Sequence, residues 1–523
     1  MTIQQDLGQK LMLAFIGRQP SPEILSAILN HRLAGLTLFR SMNVDNAAQV
    51  RKLTAALQAA AAEAGLPPLL IATDHEIGQL MAVGEELTPF SSNMALGAID
   101  DPALTEQVGR VMGTELAAIG VNLNYAPVCD VNSNPQNPAV GIRSFGDDPC
   151  KAAAHAGALI RGMQSAGVAA TAKHFPGLGD AAVDSHYEVP VLNHSRERLE
   201  TVELPSFKAA VENDVKLIMT GHVGLPALTG NPTLPGTVSR AIMHGLLREE
   251  MGFQGVIISD AMEMAAIQQG AGQVIDAIAA VRATVDLLLL NADVNIQQHV
   301  FDGLLQAVDR QIIAQAELDS SLARIQALKT WLGQFTQPAL DVVGCAAHQA
   351  LAAEVAARSL TLVKDETKQL PLNPQADEQI LVILPELKDL TPADTSSYLQ
   401  HTLPDALRDY HGRVDALMVS HQPTAKEIAA VRNRAAQADR LIVGTISANI
   451  YTEQAELVNT LLELDKPIIT IALRTPYDLT VYPTAPTHIC TYSVHQPAMK
   501  AAAAALWGEI DFVGHLPVAM THS

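Results

Sequence analysis

The stretch Gly167-Val-Ala-Ala-Thr-Ala-Lys-His174 decides the fold class, because a short apolar run ends directly in two polar side chains. A run of this length and composition is typical of a strand buried on both faces, as in a parallel sheet. Lys173 and His174 then lie at the carboxyl end of that strand. In a (β/α)₈ barrel, this is the end that carries catalysis.

Six further apolar runs follow the same plan, and helical patterns separate them. They are residues 33–39, 68–73, 120–125, 215–220, 255–259 and 283–290. Strands that alternate with helices over about 300 residues predict a parallel α/β fold, and this length suits a (β/α)₈ barrel. Periodicity alone leaves a doubly wound sheet open as the alternative.

The residues at the predicted strand ends favour the barrel, because a barrel gathers all its strand ends at one mouth. Nearly every predicted strand is followed by side chains able to do chemistry: Arg40, Asp74, His75, Glu76, Lys173, His174, His222, Asp260, Asn291 and Asp293. Any one of the Asp or Asn residues could instead cap the helix that follows its strand. Capping explains the whole set less well than a shared site does.

The pattern changes near Thr336, where Gln337-Pro338 is typical of a linker. Beyond it, strands are predicted at residues 360–363, 380–384, 416–419, 441–445 and 467–472, and helices at 346–358, 424–438 and 453–464. This alternation again indicates α/β structure. We therefore predict two domains, a catalytic barrel over residues 1–335 and a smaller α/β domain over residues 336–523.

Composition excludes several classes of function. The chain has 34 Lys and Arg against 55 Asp and Glu, a net charge of −21, and no dense basic cluster, which argues against nucleic-acid binding. No apolar run approaches the length of about 18 residues that a membrane span needs. Four cysteines without Cys-x-x-Cys spacing argue against a zinc site and a disulfide framework, so we expect a reducing, cytoplasmic location. The N-terminal residues predict an amphipathic helix that runs into Gly17.

Four blocks of sequence carry a more specific signal. They are residues 134–149, the Lys-His-Phe-Pro-Gly-Leu-Gly and Asp-Ser-His motifs within 173–186, Val-Ile-Ile-Ser-Asp-Ala-Met-Glu-Met at 256–264, and the segments 353–364, 472–479 and 508–518. Together they resemble glycoside hydrolase family 3, in its bacterial β-N-acetylglucosaminidase branch. The resemblance implies a (β/α)₈ barrel followed by an α/β sandwich. It also implies a retaining exo-glycosidase acting on terminal β-N-acetylhexosaminides, with N-acetyl-β-D-glucosaminides from cell-wall or chitin fragments as expected substrates.

The resemblance also implies the catalytic residues. Asp260 is expected to attack the anomeric carbon, and His186, held by Asp184, to act as acid and base. Retaining hydrolysis requires a nucleophile and a proton donor that later becomes a base. A histidine that titrates near neutrality can both give and take a proton. Gly177 and Gly179 are expected to let the loop before His186 move over the sugar.

A second set of residues is implied to bind the sugar: Asp74, Arg143, Lys173 and His174. Charged donors and acceptors suit the recognition of hydroxyl groups. Asp130 and His222 are either further residues of the pocket wall or buried structural groups, and the sequence leaves both readings open. We expect no cofactor and no metal ion, a small sugar as the ligand, and a monomer or homodimer.

The loop after Asp74 departs from the family pattern. The branch typically has Asp-x-Glu-Gly-Gly-Arg-Val and another arginine, whereas residues 74–82 read Asp-His-Glu-Ile-Gly-Gln-Leu-Met-Ala. Loss of a guanidinium removes a fixed set of donors, so we expect the sugar pocket or its neighbouring subsite to differ. A β-glucosidase stays open for this reason, and a phosphorylase because a neutral histidine does not repel phosphate. A non-catalytic sugar-binding protein is the alternative from another class.

Overall fold

The computed structural model describes residues 3–267 and 270–520. In this part of the chain, one parallel sheet contains β1 Leu11–Ala14, β2 Gly35–Leu38, β3 Leu70–Thr73, β4 Leu123–Asn124, β5 Ala169–Phe175, β6 Leu217–Thr220, β7 Val256–Ile258 and β8 Leu288–Leu290. Consecutive strands from β1 to β7 pair in parallel, and β8 pairs with β1. A bridge between Ile258 and Leu287 joins β7 to the start of β8. The predicted (β/α)₈ barrel is therefore confirmed, and the doubly wound sheet is excluded.

Helices surround the barrel. They cover Ile3–Gly8, Pro22–His31, Ala47–Glu63, Asn93–Ile99, Pro102–Ala118, Pro149–Ser165, Leu204–Glu212, Ala241–Glu250, Ala271–Arg282, Val294–Asp309 and Gln315–Leu332. Ser21, Asp101 and Asp148 each accept a backbone N–H at a helix start, with proline in the first turn, which is a common N-terminal arrangement. Apolar side chains fill both the layer between strands and helices and the inside of the barrel.

The N-terminal segment differs from its prediction. The helix ends at Gly8, and β1 lies where an amphipathic helix continuing to Gly17 was predicted. Leu11 and Leu13 pair with Leu288 and Leu290 of β8, so this segment completes the barrel. A short apolar run fits a buried strand and a buried helix equally well, and here the open edge of the sheet decides between them.

The second sheet contains six strands in the described residues: β9 Thr361–Asp365, β10 Ile380–Pro385, β11 Val414–Val419, β12 Arg440–Thr445, β13 Ile468–Ala472 and β14 Thr487–Cys490. Their order is β9-β14-β13-β12-β10-β11, and β9 is antiparallel to β14 while the other pairs are parallel. Helices Leu403–Arg408 and Gln496–Leu506 pack on one face, and Ala425–Ala435 and Thr452–Leu462 pack on the other. This is an α/β sandwich, as expected.

One helix, Ala346–Ser359, contacts both halves of the chain. Its Ala352 and Val355 pack into the core around the barrel, whereas Ala356 packs into the core of the second sheet. The predicted boundary after residue 335 falls between this helix and Gln315–Leu332. Among the described residues, no helix combines the length and apolarity that crossing a bilayer requires.

Candidate active site

Two basic and two acidic side chains meet at the carboxyl ends of β3 and β5. Lys173 donates from Nζ to Asp74 Oδ1 at 2.6 Å and also contacts Glu76. Arg143, in the turn Gly141–Arg143, donates from Nε and Nη2 to the two oxygens of Glu76 at 2.7 and 2.8 Å. Asp74 is 22% exposed, whereas the other three side chains are buried. Asp74 is thus the member of this cluster that a ligand reaches first.

Glu76 balances the charge of the two cations. Burial raises the pKa of its carboxyl, but Arg143 and Lys173 outweigh this effect and hold the pKa well below its ordinary value. Glu76 is therefore ionised and bridges two residues that are far apart in sequence. The strand pattern located Glu76 at a strand end, yet no motif assigned it a part in the site. The available signal was its position two residues after Asp74.

His174 is oriented by Asp130. Its Nδ1 lies 2.7 Å from Asp130 Oδ2, and Asp130 Oδ1 accepts the backbone N–H groups of His174 at 3.3 Å and Leu178 at 2.7 Å. Since a carboxylate only accepts, Nδ1 is the donor and Nε2 is left for a ligand. Asp130 is buried. The structure thus favours the second of its two open roles, a buried group that positions a neighbour.

Asp184 and His186 form a hydrogen-bonded pair. Asp184 Oδ1 accepts from His186 Nδ1 at 2.6 Å and from its backbone N–H at 2.9 Å. The side chain of His186 is 29% exposed, whereas that of Asp184 is buried. Burial lowers the pKa of His186, but the hydrogen bond and charge of Asp184, with the charge of Asp260, raise it above its ordinary value. The raised pKa favours the protonated ring, in which Nε2 carries the proton that Asp184 does not accept.

The loop that leads to His186 is closely packed at its start. Gly177 has φ +127°, and a Cβ on Gly179 would collide with the carbonyl oxygen of Val131. Asn137 donates to the carbonyls of residues 178 and 179 at 2.8 and 3.0 Å. The two glycines therefore serve close packing in this structure. Movement of the loop stays a prediction.

Asp260 follows β7 and lies at the same mouth. It is partly exposed, and its Oδ1 accepts the backbone N–H of Ala261 at 2.8 Å. Burial raises the pKa of its carboxyl, but the neighbouring histidines His174 and His186 outweigh burial and bring the pKa below its ordinary value. The carboxylate is thus ionised, as a nucleophile must be. The backbone N–H of residue 265 donates to the carbonyl of His186 at 3.3 Å, which ties this segment to the loop of the histidine.

His222 lies behind Asp260 and is buried. Its Nδ1 is 2.7 Å from Thr237 Oγ1, and its Nε2 is 3.1 Å from the carbonyl oxygen of Ala261. Burial lowers the pKa of His222, so the ring is neutral. Of the two roles that the sequence left open, the structure favours the buried, hydrogen-bonded one. The described residues contain no group of three or more His, Cys, Asp or Glu side chains placed to hold a metal ion.

The sequence also matches a known family. The sequence profile described as "Glycosyl hydrolase family 3 N terminal domain" matches residues 2–328. The chain belongs to glycoside hydrolase family 3. The resemblance seen in the sequence is thereby confirmed.

Relatives of this family 3 chain match its full length. "Beta-hexosaminidase A" of Pseudoalteromonas piscicida is 31% identical over 595 residues, which cover 100% of this chain and 98% of that protein. The "Beta-N-acetylglucosaminidase/beta-glucosidase" of Cellulomonas fimi is 29% identical, with 98% and 93% covered. The solved structure of a glycoside hydrolase family 3 β-N-acetylglucosaminidase from Paenibacillus sp. str. FPU-7 superposes with a TM-score of 0.94 at 34% identity, covering 100% and 99% of the two chains. The chain is thus an enzyme, a glycoside hydrolase, and not a non-catalytic sugar-binding protein.

The unusual loop after Asp74 of this family 3 hydrolase is bonded to the second domain. The carbonyl of Gly78 lies 2.7 Å from His495 Nε2, which donates to it. The carbonyl of Gln79 accepts the backbone N–H and the hydroxyl of Thr395 at 2.8 and 3.0 Å. The side-chain amide of Gln79, at a position where the branch typically has arginine, donates to the carbonyl of residue 393 at 3.1 Å. This side chain therefore joins the two domains.

Proposed function

We propose that the chain hydrolyses terminal N-acetyl-β-D-glucosaminides with retention of configuration, through a covalent bond between the sugar and Asp260. The observation that carries the proposal is the 2.6 Å pair of Asp184 and His186 at the mouth that also holds an ionised Asp260. A carboxylate nucleophile and a protonated histidine together meet the chemical requirements of the reaction. An N-acetylglucosaminide as substrate is supported by the β-hexosaminidase and β-N-acetylglucosaminidase activities after which the relatives above are named.

In the first step, the Asp260 carboxylate attacks the anomeric carbon. The bond from this carbon to the glycosidic oxygen breaks, and His186 gives its Nε2 proton to the departing oxygen. Asp184 stays ionised, holds the ring in one orientation and stabilises its charged form.

In the second step, neutral His186 takes a proton from water as the water oxygen attacks the anomeric carbon. The ester bond to Asp260 breaks, and its carboxylate is regenerated. Two inversions give net retention, and both side chains return to their starting protonation states.

We propose that Asp74, Lys173, Arg143 and His174 hold the sugar. Asp74 is partly exposed and accepts from hydroxyl groups, while Lys173 and Arg143 are fixed by the acids beside them. His174 offers Nε2, since Nδ1 is taken by a carboxylate. Such fixed donors and acceptors discriminate between hydroxyl patterns because an analogue leaves them unpaired.

We also propose a cytoplasmic, reducing location and cell-wall or chitin fragments as the source of substrate. The location is supported by the four cysteines, Cys129, Cys150, Cys345 and Cys490, none of which forms a disulfide in the described structure. Cysteines that stay reduced are typical of such a compartment.

The mechanism is tested with two variants and two leaving groups. We expect Asp260→Ala to abolish turnover of every aryl N-acetylglucosaminide. His186→Ala should lower kcat/KM strongly for a methylumbelliferyl leaving group but only slightly for 2,4-dinitrophenyl, which departs without a proton. Matched controls are Asp293→Ala, at a strand end where the aspartate caps a helix, and His244→Ala on an outer helix.

The outcomes separate the roles. Equal losses for both leaving groups in His186→Ala contradict the acid/base role, and turnover by Asp260→Ala contradicts the nucleophile. The substrate class is tested by comparing aryl N-acetylglucosaminide with aryl glucoside at equal leaving group. A preference for the glucoside would point to the β-glucosidase.

A further inference from the structure

We propose that Thr237, acting through Thr220 and His222, is a positioning residue that fixes the peptide group before Asp260 and the peptide group after Ala261. The proposal rests on the proposed role of Asp260 as nucleophile. It concerns three buried side chains: Thr220 at the end of β6, His222 two residues after it, and Thr237 in the turn Gly236–Val238. None of them belongs to the sequence blocks that carry the family resemblance.

A chain of four hydrogen bonds connects these residues. The backbone N–H of Asp260 donates to Thr220 Oγ1 at 3.3 Å, and the hydroxyls of Thr220 and Thr237 are 2.7 Å apart. The hydroxyl of Thr237 is 2.7 Å from His222 Nδ1. Nε2 of His222 is 3.1 Å from the carbonyl oxygen of Ala261. The chain thus starts at the residue that carries the nucleophile and ends at the residue after it.

The direction of every hydrogen bond follows from the donors and acceptors available. A carbonyl only accepts, so His222 Nε2 carries the proton, and in the neutral ring Nδ1 must then accept. Thr237 therefore donates to Nδ1 and accepts from the hydroxyl of Thr220. Thr220 in turn accepts the N–H of Asp260. The carbonyl of Gly221 is a poorer acceptor for Thr237, because it lies 3.4 Å away.

This order explains how remote hydroxyls act on the carboxylate. The N–H of Asp260 and the carbonyl of Ala261 are fixed at the two ends of the chain, and the peptide N–H between them holds Asp260 Oδ1 at 2.8 Å. The peptide group before Asp260 and the peptide group after Ala261 are thus fixed in rotation. The direction in which the carboxylate points depends on them.

Thr237 is the central member of the chain, since its hydroxyl bonds both Nδ1 of His222 and the hydroxyl of Thr220. Without this hydroxyl, both groups lose their partner in a buried place. His222 and Thr220 are then no longer held in position against the carbonyl of Ala261 and the N–H of Asp260. A misplacement of about 1 Å at a reacting group costs on the order of 100-fold in rate.

The test compares Thr237→Val with Thr237→Ser, using 2,4-dinitrophenyl N-acetyl-β-D-glucosaminide. With this substrate the leaving group needs no proton from His186, and both steps of turnover form or break the bond to Asp260, so kcat reports how well the carboxylate is positioned. We expect Thr237→Val to lower kcat by about 10- to 100-fold with KM within about threefold of the parent. Thr237→Ser keeps the hydroxyl, and we expect it to restore kcat to within about threefold.

The matched control is Thr171→Val on β5. Thr171 is buried, and its hydroxyl has no hydrogen-bond partner within the described structure, so the same substitution removes no bond. We expect parent kinetics there. A kcat of Thr237→Val equal to that of the parent overturns the proposal. So does a decrease in kcat that Thr237→Ser shows as well, or one that is accompanied by an equally large change in KM. Turnover by Asp260→Ala in the same assay would instead overturn the proposed function.

Discussion

Replacing Glu76 with Gln removes one negative charge from between two buried cations while it keeps the shape of the side chain. The carboxylate of Glu76 accepts two hydrogen bonds from Arg143 and contacts Lys173. The amide of Gln has an NH₂ group in place of one carboxylate oxygen, and its N–H bonds would face the N–H donors of these cations. Lys173 keeps Asp74 as a partner, but Arg143 loses its carboxylate. Removing one partner of a buried ion pair costs about 3–5 kcal/mol, and we expect the free energy of unfolding to fall by that amount.

The same substitution weakens the sugar pocket. Arg143 and Lys173 are held in place by Glu76, and a positioning group displaced by about 1 Å costs on the order of 100-fold in kcat/KM. This equals about 2.7 kcal/mol of lost transition-state stabilisation. We expect much of the loss in KM, because these donors bind the sugar before and during the reaction alike.

The assay measures kcat and KM on 4-nitrophenyl N-acetyl-β-D-glucosaminide together with the thermal unfolding midpoint. The matched control is Glu115→Gln, which alters a buried glutamate on helix Pro102–Ala118 that accepts from Thr88, Gly344 and His348. We expect this control to lower the midpoint and leave KM unchanged. If Glu76→Gln does the same and no more, Glu76 only supports the fold, and its role in holding the two cations of the sugar pocket is refuted.

Three further predictions concern the pH dependence of the rate, the molecule that takes the sugar from Asp260, and a buried ion pair at the end of the barrel away from the site. The pKa of His186 is raised above 6.5, so in a pH–rate profile we expect kcat/KM for a poor leaving group to decrease on the alkaline side, with a midpoint above pH 6.5, as His186 loses its proton. Asp184→Asn should move this midpoint to lower pH. An alkaline midpoint below pH 6.5 in the parent enzyme would contradict this. Added inorganic phosphate is expected to yield mainly free N-acetylglucosamine, and sugar 1-phosphate as the main product, detected by ³¹P NMR, would instead show a phosphorylase. Asp286→Asn, which removes the partner of Arg248 at 2.6 Å and Arg324 at 2.8 Å, is expected to cost about 3–5 kcal/mol in unfolding experiments while KM stays unchanged.

Local patterns predicted most of the fold because the strands are short, apolar and separated by helices with clear starts. Within the barrel sheet and the second sheet, two strands escaped prediction, for different reasons, and the short antiparallel pair His75–Ile77 and Leu80–Met81 after Asp74 was also missed. β1 is an apolar run that fits a helix as well as a strand. β14 contains Thr487 and His488, polar residues whose burial depends on partners such as Thr470 on the neighbouring strand, 2.8 Å from the ring.

The candidate site shows the same limit. Asp260, Asp184 and His186 follow from motifs, and the last two are close in sequence, so their pairing could be predicted. The contact of Glu76 with Arg143 joins residues from different loops, and no local pattern indicates it. The burial of His222 likewise depends on Thr237 and on the backbone after β7. These are tertiary contacts, which a single sequence does not encode in any short window.

The bonds from His495 and Thr395 to the loop after Asp74 bear on how the substrate preference of this enzyme could be re-engineered. Residues 74–82 and the segment around residue 395 are held together by hydrogen bonds, although they lie more than 300 positions apart in the chain. If only the arginine-containing loop of a relative were grafted, His495 and Thr395 would have no backbone carbonyls placed to accept their hydrogen bonds. A successful exchange of specificity therefore requires transplanting both segments together.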